Sequence, residues 1–81
     1  MPQKKDIAAF MQHIRDQGYA IEDYGFLFGV RRFIISQQRQ RVFFDIDEAV
    51  WPDFTQDSLL HQANIIIRGM KEKASTFDYS L

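Results

Sequence analysis

The sequence predicts a small α+β domain: a helix, an antiparallel β-hairpin or three-stranded meander, then a second helix, with both helices on one face of the sheet. Three stretches carry that expectation. Ile7, Phe10, Met11 and Ile14 recur with the 3.6-residue period of one helix face. Residues 26–47, FLFGVRRFIISQQRQRVFFDID, are dense in aromatic and β-branched side chains and end in strand-like alternation. Leu59, Leu60, Ala63, Ile66, Ile67 and Met70 fall on one side of a second helical wheel, with His61, Asn64, Arg68 and Glu72 opposite and Ile65 out of phase.

Taken in order, Pro2 suits the first turn of the first helix, where a missing N–H goes unnoticed. Gly18 stands where a left-handed cap is wanted, so this helix ends near Gln17. Tyr19–Asp23 reads as a short strand turning at Tyr24–Gly25. The main hairpin pairs Phe26–Ser36 with Arg41–Asp47 across a three-residue loop, Gln37, Gln38 and Arg39. Ser36 then faces Gln40, Phe33 faces Phe43, and Arg31 faces Asp45, an opposite-charge pair that favours this register. One face carries Phe26, Phe28, Val30, Ile34, Val42, Phe44 and Ile46; the other carries Leu27, Phe33, Ile35 and Phe43. Pro52 holds Trp51 extended and breaks any helix there. Thr55 or Asp57 caps the second helix, which runs to about Lys73 with Lys71 and Lys73 favouring its dipole. One domain thus spans residues 1–74, and residues 75–81 form a tail that can dock as an edge strand through Phe77, Tyr79 and Leu81.

Composition narrows the function classes. A chain of 81 residues without cysteine has neither disulfides nor zinc-thiolate sites to hold it, so one compact core must do so. No continuous apolar run forms a secretion signal or a membrane span, and the expected location is the cytoplasm. Ten basic and eleven acidic residues give a net charge of -1, without a global field for nucleic acid or anionic membranes. The charges are unevenly spread. Arg31, Arg32, Arg39 and Arg41 share a stretch without acids, while Asp45, Asp47, Glu48, Asp53 and Asp57 follow without a base.

Few residues suggest catalysis. The strand RVFFDID resembles the nucleophile motif of the haloacid dehalogenase superfamily, which would make Asp45 the nucleophile and Asp47 the acid/base. Glu48-Ala49 replaces the Gly-Thr usual there, and that fold needs a doubly wound parallel sheet for which this chain has no room. Alternating charge on the solvent side of a strand accounts for both acids. Asp45, Asp47, Glu48 and Asp53 lack the glycine-containing spacing of a calcium loop. His13 and His61 lie on separate helices without a third ligand or a nucleophile's context. The expectation is a non-enzyme without cofactor or metal.

Two binding readings remain. Arg31, Arg32, Arg39 and Arg41, interleaved with Phe33 and Phe43, form a basic and aromatic hairpin of the kind that grips phosphate and stacks on bases. The helix–strands–helix order resembles that of double-stranded-RNA-binding domains and of small RNA-cleaving toxins. The first family's lysine cluster at the last helix is replaced here by TQDSLLHQ, and the toxins' strand histidine is missing. The other reading starts from Leu27, Phe33, Ile35 and Phe43, an apolar set that two helices on the opposite face cannot cover. Such patches mark partner sites. The sequence therefore predicts a protein-association module, most simply a homodimer with these four residues at its interface, and a nucleic-acid-binding regulator as the alternative.

Overall fold

The computed structural model describes the backbone of residues 5–79 and the side chains of residues 5–73. Along the chain come α1 (Ile7–Asp16), β1 (Ala20–Leu27), β2 (Val30–Gln37), β3 (Gln40–Asp47), a 3-10 turn (Trp51–Asp53) and α2 (Gln56–Tyr79). The strands form one antiparallel sheet in the order β1-β2-β3. The α+β architecture expected from the sequence is present, with three strands.

Capping residues set both helix starts and the end of α1. The Asp6 carboxylate accepts the Ala9 N–H at 3.0 Å and starts α1. Gly18, at φ +90°, donates its N–H to the Arg15 carbonyl while Tyr19 donates to the Ile14 carbonyl, a Schellman closure. Of the two candidate caps for α2, Thr55 is used: its hydroxyl accepts the Ser58 N–H at 3.0 Å. The α2 backbone stays helical through Tyr79, so Phe77 and Tyr79 lie on a helix instead of an edge strand. Pro2 and Leu81 fall outside the described residues.

The sheet departs from expectation in two places. β1 does not turn at Tyr24–Gly25 but passes through it on a bulge: Asp23 pairs with Phe33, Gly25 with Arg32, and Tyr24 is the extra residue. Gly25 takes φ +69°, and the Asp23 carboxylate accepts its N–H at 2.8 Å. The turn comes at Phe28–Gly29 instead, with φ +49° and +82°. The second hairpin closes over two residues, Gln38–Arg39, with Gln38 at φ +53°, so that Gln37 faces Gln40. Two-residue turns with positive φ match the twist of the strands they join, which favours them over the expected three-residue loop.

That single-residue difference resets the whole sheet. Phe33 faces Phe44, Ile35 faces Val42, and Arg32, not Arg31, faces Asp45. Ile21, Phe33, Ile35, Phe44 and Ile46 now share the face that meets Phe10 and Ile14 of α1 and Leu59, Ala63, Ile67 and Met70 of α2. Phe10 sits edge-on to Phe33, ring centroids 5.2 Å apart. The alternative register would have split Phe33 from Phe44 across the sheet, so the burial of both aromatics decides it.

The two helices point the same way. Asp6 and Gln56, at their starts, are joined by a pair of hydrogen bonds: the Asp6 N–H donates to Gln56 Oε1, and Gln56 Nε2 donates to the Asp6 carbonyl. At the far end Gln37 Nε2 donates to the Gly18 carbonyl and Gln40 Nε2 to that of Met70. Both helix starts therefore lie toward the Phe28–Gly29 turn, while Gln17 at the end of α1 and Met70, within α2, lie toward Gln38–Arg39.

Candidate interaction surface

The four residues expected at an interface do not form one surface. Phe33 and Ile35 are wholly buried on the helix-covered face and belong to the core. Leu27 and Phe43 lie on the open face with Val30, Arg32 and Ile34. Ile34 is only 3% exposed although it stands apart from the main core cluster. Tyr24 and Arg41 meet from either side of its strand, with the Arg41 guanidinium donating to the Tyr24 hydroxyl at 3.5 Å. The open face thus covers Ile34 but leaves Tyr24, Leu27 and Phe43 exposed, among the charges of Glu22, Asp45, Asp47, Arg32 and Arg41.

The four expected basic residues are likewise dispersed. Arg31 points to the helix side, where it pairs with Asp23 and lies 5.1–5.2 Å from the rings of Phe26, Phe33 and Trp51. Arg32 grips Asp45 with two hydrogen bonds of 2.8 Å and lies 4.5 Å over the Phe43 ring. The hydrogen bonds from Arg32, with its charge, hold the Asp45 carboxyl below the usual carboxylate range; the same contacts raise Arg32. Arg39 alone stands at the β2–β3 turn, exposed. Two of the four arginines are thus spent on acids within the chain, which ties up half of the phosphate-gripping charge the sequence suggested.

A different apolar surface forms at the opposite turn. Phe28 is fully exposed there, and Phe26, Leu27 and Val50 are one-third to one-half exposed. Glu48 is fastened to this tip by its N–H, which donates to the Gly29 carbonyl at 2.8 Å. Trp51 flanks it, edge-on to Phe26 at 6.1 Å and capped by the Lys5 ammonium at 4.8 Å. Asp47, paired with Val30, and Glu48 bring two carboxylates beside the tip. A bulky aromatic at φ +49° is a strained choice for a turn position that glycine or asparagine fills without penalty. The sequence signal for this site was Phe28-Gly29 inside the apolar run, a turn pair masked by its own hydrophobicity.

Two clefts lie outside the core near the helices. The larger, about 360 Å³, opens between the last turn of α1 and the middle of α2 and is lined by His13, Gln17, Asn64, Ile67, Arg68 and Lys71. The smaller, about 150 Å³, lies between Val42 and the Ile65–Lys73 side of α2. Among the described residues no three His, Asp or Glu side chains group as metal ligands, and no helix is long and apolar enough to cross a membrane. No family model, curated protein or solved structure matches the chain.

Proposed function

We propose that the chain is a non-enzymatic protein-association module that docks through its β1–β2 tip. The observation that carries this reading is Phe28, wholly exposed and held in a left-handed conformation. A phenyl ring in water gives up the burial that elsewhere stabilises by roughly 1.5–3 kcal/mol. A partner pocket that receives the ring ends its exposure and offsets the backbone strain. The partner is a protein with an apolar pocket rimmed by cations, since Asp47 and Glu48 flank the tip. Those acids repel phosphate, and the arginines Arg31 and Arg32 are engaged within the chain, so nucleic acid is the weaker reading.

The two-fold homodimer expected from the sequence loses the surface on which it was built, because half of that surface is core. Self-association remains part of this proposal in another geometry. A cytoplasmic location belongs to the same reading, supported by a chain that needs no disulfide to fold. A photoreactive phenylalanine analogue at position 28, introduced in cells producing the protein, tests the site. A discrete protein adduct from position 28, absent when the analogue replaces exposed His61, is expected. Equal, diffuse labelling from both positions removes the reading.

A further inference from the structure

We infer that the receptor for the tip is the α1–α2 groove of a second copy of this chain, so that copies join head to tail. The inference rests on the tip being an association site and names its partner.

Three observations favour this occupant. The first is charge. Asp47, whose carboxylate accepts the Ala49 N–H, and Glu48 flank the tip with the single cation Lys5 over Trp51, whereas the groove is rimmed by Arg68 and Lys71. The second is size: the groove offers about 360 Å³ of open space between the polar side chains of His13, Gln17, Asn64, Arg68 and Lys71. One phenyl ring and its flanking backbone fit that volume.

The third is placement. The groove residues His13, Gln17 and Lys71 sit at the end where Gln37 bonds Gly18 and Gln40 bonds Met70. The tip is at the other end of strands eight residues long, hence about 25 Å away. No copy can fill its own groove. A tip in one copy and a groove in another form a heterologous contact that leaves a free tip and a free groove behind, so the assembly grows or closes into a ring.

Complementing variants test this directly. Phe28→Asn removes the ring while supplying an Asn-Gly turn, and the pair Arg68→Glu with Lys71→Glu reverses the groove at exposed positions. Light scattering on the wild type should give a mass that rises past a dimer with concentration at low salt and falls at roughly 0.5 M salt. Each variant alone should associate at least about tenfold more weakly, with unchanged circular dichroism. Mixed, they should form a one-to-one complex that grows no further, because one brings the only tip and the other the only groove.

A wild type that stays monomeric, or stops at a salt-independent dimer, overturns the inference; so does a mixture that forms no complex. A monomer whose position 28 still yields a discrete adduct with another protein leaves the tip as an association site and rejects only the self-pairing. A monomer without such an adduct rejects both.

Discussion

The guanidinium of Arg31 stands 5.1 Å above the indole of Trp51 and is held there by the carboxylate of Asp23. Phe26 and Phe33 complete the ring of aromatics, so a cation from β2 ties the post-sheet turn to the sheet. Arg31→Lys keeps the charge and loses the flat face that stacks on rings. The expected loss is about 1 kcal/mol in urea unfolding. Trp51 is the one tryptophan, and its fluorescence should shift to the red as the indole is freed. An unchanged spectrum and midpoint would show that the stacking contributes nothing.

The corrected register makes unequal demands on neighbouring aromatics. Phe33 is wholly buried and Phe43 is 52% exposed. Phe33→Ala should cost about 3–5 kcal/mol and Phe43→Ala less than about 1.5 kcal/mol, mostly the loss of contact with Arg32. Chemical denaturation of the two variants distinguishes this sheet from one closed by a three-residue loop, in which the two rings would lie side by side on one face.

The Arg32–Asp45 fork gives stability a defined dependence on acid. Hydrogen bonds from Arg32, and then its charge, lower the Asp45 pKa in the folded state. A carboxylate with a depressed folded pKa contributes stability that is fully present above its unfolded value, near 4, and is lost as pH falls through the folded value. The wild type should therefore exceed Asp45→Asn in melting temperature at neutral pH, with the gap closing below about pH 4. The pair is solvent-exposed, so the gap is small and shrinks in salt. A gap that widens in acid would refute the assignment.

Two turn positions respond to substitution in opposite directions. Gly18 at φ +90° closes α1, and Gly18→Ala should cost about 1–2 kcal/mol by forcing a side chain into the left-handed region. Phe28→Asn should stabilise by about 0.5–1 kcal/mol, since it relieves the same kind of strain at φ +49°. Thermal melts of the isolated variants read both. A folded state weakened by Phe28→Asn would mean that the ring serves the fold and not a partner.

The helices were legible in the sequence apart from the end of α2, which runs on to Tyr79 instead of stopping near Lys73. Ile7, Phe10, Met11 and Ile14 name a stripe, Gly18 ends it, and Thr55 starts α2. Ile65 was readable as out of phase and is 47% exposed. The sheet was harder because apolar residues occupy both of its faces. Ile34 and Phe43 on the open side mimic Phe33 and Phe44 on the covered side, so alternation could not choose between two registers one residue apart. Charge misled as well, since Arg31 and Arg32 both had an acid within reach, Asp23 for one and Asp45 for the other. The candidate site went unread for a related reason: Phe28-Gly29 looked like mid-strand, and only the backbone shows that it turns.

The bulge at Tyr24–Gly25 has a consequence for crowding. β1 is an outer strand, and its free backbone groups offer a template on which a neighbouring chain could hydrogen-bond. The inserted residue skews that border, and a straight β-segment laid along it falls out of step after Asp23. Copies brought close together can thus share a small volume without their sheets zipping into a common fibre along this side.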